Sequence, residues 1–375
     1  MPGNRLLDKR IVVLSMLYLC AGIFILACFG IQTGGEAEKY IDNANRILSG
    51  SGLRNGVYGF FYVAYSLVVA FFVKLSIPLF FVGLFQLLLS LLAAHCIYRL
   101  VSSVTGHGWI AVAVFIVYLL CYPVQKWNFF LYSESLHTSL LVIGLYYFNC
   151  FLRQPSIKMG AILLFLLLLV FFSRPTGVLF LFAMIFSLML WLWIRKQRLA
   201  FYMLFAVAVA GVVAVINSPL VAFVNPDSLV RLEVICQVSG TDQNKDYLEF
   251  QRSGIGEVYK TIRDDIGIGN FLWTGCKKVV AFFSMYRPYY SLPNNLLLIA
   301  NWIFYPLALT GIFSKVKPGF YYVRAFALSY LSLIVITVFF TCDDWANRFI
   351  APVFPFVLLL AVMGVHRLSD KVRKT

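Results

Sequence analysis

The chain has 375 residues, 61% of them hydrophobic and only 13% charged, with a mean hydropathy of +0.84. A water-soluble domain carries about 25% charged residues and cannot hide this much apolar surface. This excludes a globular cytosolic enzyme, a secreted disulfide scaffold and a nucleic-acid-binding domain. The net charge of +15, from 31 Lys+Arg against 16 Asp+Glu, marks loops beside an anionic membrane surface and not a nucleic-acid partner.

Arg5, Lys9 and Arg10 precede the first apolar run, Ile11–Ile31. It mimics a signal peptide but exceeds the ~7–15 residues of a cleavable hydrophobic region, so it reads as a retained first span. The next stretch, Gln32–Gly50, places Ala37, Tyr40, Ile41, Ala44, Ile47 and Leu48 on one helical stripe, with Glu38, Asp42, Asn45 and Arg46 opposite. That spacing predicts an amphipathic helix lying along the membrane surface, stopped by Gly50 and Gly52. Ten further apolar runs follow: Phe60–Val73, Ile77–Tyr98, Trp109–Val124, Thr138–Phe151, Ala161–Phe172, Val178–Ile194, Ala200–Val224, Leu296–Phe313, Ala325–Thr341 and Phe349–Val365. A span needs roughly 20 residues. Phe60–Val73 is short and is followed closely by Lys74 and Pro78, so it reads as an interfacial or re-entrant segment.

The distribution of basic residues decides the orientation. With Phe60–Val73 not crossing, the pieces on the cytoplasmic side hold 16 basic residues and the short outer loops seven. The outer side then carries 14 of the 16 acids; only Asp8 and Asp370 lie inside. The expected fold is an all-α polytopic membrane protein of about ten transmembrane helices, with an amphipathic outer helix and one interfacial segment. It forms a single membrane domain over 1–375, with both termini cytoplasmic. Within it, 32–76 is a first outer loop, 225–295 a long outer loop, and 296–375 the C-terminal spans with a basic tail. No nucleotide-binding loop of the GxxxxGK[ST] or Rossmann type is present.

Glu36 opens the amphipathic helix. It fits a capping box with Thr33 at the N-cap, and equally a carboxylate kept ionised by the helix dipole, able to take a proton from a hydroxyl nucleophile. The pattern Gly35-Glu36-Ala37-x-x-Tyr40-Ile41-x-x-Ala44-x-x-Ile47-Leu48-x-Gly50 resembles the first outer loop of the GT-C glycosyltransferases of the protein-mannosyltransferase type, polytopic enzymes that use polyprenyl-phosphate sugars. That family's pattern is G-D-x-x-x-Y-x-x-x-A-x-x-L-x-x-G, and its Asp is catalytic. Glu36 stands at the Asp position, one methylene longer; Glu38 and Asp42 are the alternatives if the register shifts. Tyr58–Ala70 is similar to the family's aromatic segment skimming the outer face. Tyr132-Ser133-Glu134-Ser135-Leu136 resembles its S-E-x-L, Ser173-Arg174-Pro175-Thr176-Gly177 its R-P-x-G, and Asp343-Asp344-x-x-Asn347-Arg348-Phe349-x-x-Pro352-x-x-Pro355 its D-x-x-R-Y-x-x-P-x-x-P. The resemblance covers roughly residues 10–365 and does not extend to the large C-terminal soluble domain that most members of that family carry.

The resemblance implies an inverting glycosyl transfer on the outer face of a bacterial inner membrane, with Glu36 as general base. Its partners would be a polyprenyl-phosphate sugar donor, a glycan, lipid or protein acceptor, and the surrounding lipids. The substrate-binding candidates are Tyr40, Glu134, His137, Arg174, Lys278, Arg287, Asp343, Asp344 and Arg348. Glu134 and His137, one turn apart, suit sugar hydroxyls or a metal, or one another. Arg174 suits bidentate contact with phosphate, or snorkelling to the interface. Lys278, and Arg287 beside Tyr289 and Tyr290, suit a sugar or a lipid entrance, or anchoring at the interface. Asp343, Asp344 and Arg348 form an ion-pair knot or part of the sugar pocket. No cofactor is legible; a divalent metal is compatible with these acids. Cys236 and Cys276 share the long outer segment and could pair in an oxidising compartment, whereas the cysteines of the apolar runs read as small buried hydrophobes. The competing functional class is a carrier or flippase for lipid-linked sugars or anionic solutes; a structural subunit of a larger complex is the third.

Overall fold

The computed structural model describes residues 9–54, 57–216, 234–235, 260, 262–314, 318–342 and 346–372. Asp8, Cys236, Asp343, Asp344 and about half of the long outer segment lie outside the described residues. Among the described residues every named element is helical, and an isolated parallel bridge joins Gln32 and Phe130. Six helices are long and apolar enough to cross a membrane, or seven if one bent pair counts as a span. The protein is therefore an all-α polytopic integral membrane protein.

The chain divides into two compact units, each taken by itself below. The first comprises Met1–Leu181, Ile303–Arg324 and Phe354–Thr375; the second comprises Phe182–Trp302 and Ala325–Val353.

In the first unit, α1 (Lys9–Phe29) is apolar on every face yet buries only Ile11, Gly22 and Leu26, leaving Met16, Leu17 and Phe24 exposed, as suits a helix bathed in lipid. It packs on the 26-residue α5 (Phe80–Thr105). The contact is reciprocal: a Cβ at Gly22 would come within 2.7 Å of the Leu87 side chain, and one at Gly83 within 2.8 Å of Leu26. Each helix offers a glycine notch to a leucine of the other, the small-residue packing that bilayers favour. After α6 (Gly108–Leu120) the extended backbone of Cys121 breaks the helix. The chain then turns through α7 (Tyr122–Gln125) and a 3-10 turn (Lys126–Phe129), bent by 50° from α6. Pro123, which has no N–H to bond back, falls in the first turn after the break, where it is tolerated.

The amphipathic helix is present as α2 (Ala37–Ser49), ended by Gly50 at φ 72, whose N–H reaches Arg46 and Ile47 carbonyls. This is the left-handed stop expected of glycine. Two details depart from expectation. The helix begins at Ala37 with Glu36 itself at the N-cap and no side-chain capping bond, so the Thr33–Glu36 capping box does not form. Its buried arc is Ala37, Tyr40, Asn43 and Ala44, while Leu48 points outward; Asn43 turns inward because its Oδ1 accepts the Arg54 backbone N–H at 2.8 Å. The helix packs on α4 (Val63–Lys74), which follows the one-turn α3 (Val57–Phe60). Twelve residues span about 18 Å, too little alone to cross the roughly 30 Å hydrocarbon layer. The unit continues through α8 (Ser133–Arg153) and α9 (Ile157–Phe171); α10 (Gly177–Ile194) and α11 (Arg198–Ile216) follow in the chain.

Farther along come α12 (Ile268–Ser284), α13 (Leu292–Ile299), α14 (Phe304–Ile312), α15 (Pro318–Phe340) and α16 (Phe354–Val372). In the first unit α14 and α16 meet almost backbone to backbone. A Cβ on Gly311 would lie 1.9 Å from the Leu360 carbonyl oxygen, and one on Gly364 2.1 Å from that of Leu307. In the second unit the Phe339 ring of α15 fills the notch at Gly275 of α12. Within the long outer segment, Ile262–Ile266 forms a single π turn. The cysteine expectation is corrected: Cys276 is a free, exposed thiol, and Cys342 is disulfide-bonded, its partner lying outside the described residues.

Candidate functional site

Three segments widely separated in sequence meet in the first unit: 32–40, 129–137 and 172–176. Backbone bonds make the first seam. Gln32 N–H donates to Phe129 O at 2.8 Å, and Leu131 N–H to Gln32 O at 2.9 Å. Tyr132 Oη then donates to Gly34 O at 3.0 Å and accepts the Glu36 N–H at 3.3 Å. Glu36, half-buried at the N-cap, is thereby attached to the strand-like lead into α8. Two residues beyond Tyr132 stands Glu134.

Tyr40 makes the second seam. It is fully buried and contacts Tyr65 edge-to-face at 4.9 Å and Tyr62 at 5.9 Å. Its hydroxyl shares a 2.9 Å hydrogen bond with Ser133 Oγ. Burial, with the Glu134 charge adding to it, holds the Tyr40 phenol well above its ordinary pKa, so it stays protonated and acts through hydrogen bonds. Lys39 Nζ sits 3.7 Å from the Tyr62 ring centroid, a cation–π contact at the edge of this aromatic cluster.

The third seam is charged. Arg174 Nη1 lies 2.5 Å from Glu134 Oε1, and both residues are buried, at 5% and 1% exposure. Ion pairs removed from water need strong mutual attraction to offset their desolvation, so neither partner would sit here without the other. One turn on, His137 is locked from both sides. Ser173 Oγ donates to Val170 O at 2.7 Å and lies 2.7 Å from His137 Nδ1. The serine proton being committed to Val170, Nδ1–H must donate to Ser173, which leaves Nε2 to accept from Thr176 Oγ1–H at 3.1 Å. The break in the chain after α9 thus binds α8 through Arg174, Ser173 and Thr176 together, and Ala64 N–H donates to Phe172 O at 3.0 Å beside it.

Beneath this layer lies a buried amide network that supports it. Tyr65 Oη donates to Gln86 Oε1, whose amide donates to the carbonyls of Asn128 and Phe130. Gln125 Oε1 accepts from Tyr18, Ser90 and Asn128, and Asn128 Oδ1 accepts from Ser135 Oγ at 2.5 Å. Fully satisfied polar groups of this kind fix one arrangement of the surrounding helices. Sequence reasoning missed this network and missed Ser173 and Thr176 as partners. The polar residues Gln86, Gln125 and Asn128 within or beside apolar runs were its available signal.

In the second unit the expected residues occupy a different setting. Arg287 is fully buried; its Nη1 donates to the carbonyls of Ala281 and Tyr286, closing the end of α12 after the left-handed residue Met285. Asn295 clasps the Arg287 backbone from both sides, and Asn347 Nδ2 donates to Met285 O at 2.7 Å. Arg348, half-buried, therefore follows a residue anchored at this corner, and Lys278 is buried on α12.

Among the described residues there is no group of three or more His, Cys, Asp or Glu that could hold a metal. Both nitrogens of His137 are already engaged. No protein-family model matches the chain, and a search of curated proteins finds no significant relative. The functional reading therefore rests on the residues and their geometry.

Proposed function

We propose that the protein is a membrane glycosyltransferase moving a sugar from a polyprenyl-phosphate donor to an acceptor hydroxyl at the outer face. One observation carries the reading. The first-loop acid, the Tyr132–Glu134 segment and the Arg174 break, picked out separately by their resemblance to one enzyme family, converge in space through the bonds of Tyr132, Tyr40–Ser133 and Glu134–Arg174. Glu36 at a helix N-terminus deprotonates the acceptor hydroxyl, which attacks the anomeric carbon in line as the lipid phosphate departs. A cation beside that phosphate stabilises the charge it gains. Arg174 serves by exchanging part of its contact with Glu134 for phosphate, Glu134 receives a sugar hydroxyl, and Tyr40, through Ser133, braces the segment that carries Glu134.

The ten-span topology belongs to the same reading. The bent pair and three shorter apolar helices, Ile157–Phe171, Arg198–Gly211 and Phe354–Ser369, bring the six long ones to ten, with Val63–Lys74 left at the interface. The basic-residue bias favours cytoplasmic termini in a bacterial inner membrane, and the disulfide at Cys342 suits an oxidising outer side.

The test is transfer of radiolabelled sugar from a polyprenyl-phosphate donor by membranes bearing the chain. Glu36→Gln lowers the rate about 100- to 10,000-fold, the range for loss of a general base. Full activity in that variant removes Glu36 from the role. Donor that crosses the membrane without being consumed favours the carrier class instead.

A further inference from the structure

We infer that Tyr132 is a positioning residue for Glu36, its hydroxyl acting as the pin that fixes where the first-loop carboxylate stands. The inference rests on the glycosyl-transfer reading for its consequence, and on geometry of its own for the pin. The Tyr132 hydroxyl bridges the two peptide groups on either side of Gly35, donating to Gly34 O at 3.0 Å and accepting from Glu36 N–H at 3.3 Å. Gly35 has φ +65, and a Cβ there would stand 2.7 Å from the same hydroxyl oxygen. The absence of a side chain at residue 35 is thus what admits the phenol. The ring itself is braced from behind, stacked on Trp127 at 5.8 Å and 19° and tilted against Phe130 at 5.6 Å.

These bonds do a job the helix cannot do for itself. The first N–H groups of a helix have no partner within it, and Glu36 makes no capping bond with its own side chain. A turn of two glycines before the helix would otherwise leave its entry angle free. The Gln32–Phe130 bridge holds the far end of the turn, and the phenol holds the near end. Together they tie the acid to the same segment that carries Glu134. Misplacing a catalytic group by about 1 Å costs on the order of 100-fold in rate.

The test uses Tyr132→Phe, which keeps the ring and removes only the hydroxyl, and Gly35→Ala, which keeps the hydroxyl and displaces it. Hydrogen exchange of the purified full chain in detergent reads the pin directly. Both variants are expected to speed exchange of the peptide containing residues 34–38, with the peptide spanning 80–105 unchanged. Transfer assays with the labelled polyprenyl-phosphate sugar then read the consequence: kcat falls about 10- to 100-fold with KM for the donor unchanged. Unchanged exchange at 34–38 overturns the pin. Faster exchange with unaltered kcat, or a loss confined to KM, overturns the positioning role. A wild-type chain that transfers no sugar removes the glycosyl-transfer reading and the role with it, and the exchange result then judges the pin alone.

Discussion

Two buried arginines show how the same side chain can be spent in opposite ways. Arg287 donates to the carbonyls of Ala281 and Tyr286, so its guanidinium completes the backbone of a helix end. Arg174, in the break after α9, instead faces the carboxylate of Glu134 in the first turn of α8. A cation closing a helix end meets partial charges that nothing else nearby can satisfy. A cation meeting a carboxylate can exchange that partner for another anion, at a cost set by leaving the carboxylate behind. Burial alone therefore does not mark a substrate-binding cation; the nature of the partner does.

The largest effect should come from breaking the charged pair. Glu134→Ala removes the carboxylate paired with buried Arg174 and should cost about 3–5 kcal/mol, read as a lowered thermal midpoint of the detergent-solubilised protein. Replacing both residues, Glu134→Leu with Arg174→Met, should recover much of that stability while abolishing transfer. Next comes Arg287→Met, which removes charge-assisted bonds to two carbonyls and should cost about 1.5–3 kcal/mol. If Arg287→Met costs as much as Glu134→Ala, the distinction drawn between the two sites fails. Gly311→Ala, which presses a methyl into the Leu360 carbonyl, should destabilise by about 1–3 kcal/mol through overpacking. The smallest change is Asp42→Asn, which breaks the exposed pairs with Arg46 and Arg54 and should cost under about 1 kcal/mol, less at high salt.

The helices were legible because a bilayer demands continuous apolar runs, and each of the eleven runs in the sequence has a helix in the structure. The stop at Gly50 was legible from the one property only glycine supplies there. Helix entry was not: the Thr33–Glu36 spacing suits a capping box, but the tether to Tyr132 competes for the same turn and begins the helix later. The outward turn of Leu48 and inward turn of Asn43 were hidden for a similar reason. Periodicity shows which stripe is apolar, not which backbone N–H a buried amide will meet. Glu134 and Arg174 were each visible as ionisable groups at the edge of apolar runs. Their pairing was not, because it joins segments 40 residues apart whose approach is set by helix packing.

The contact of Gly311 with Leu360, and of Gly364 with Leu307, has a mechanical meaning. Two helices that touch through their main chains leave no room for lipid, water or an intervening side chain, and any sliding of one along the other would drive backbone atoms into collision. The α14–α16 pair therefore behaves as a single stiff beam. Any rearrangement of this unit must take place around that beam and not within it.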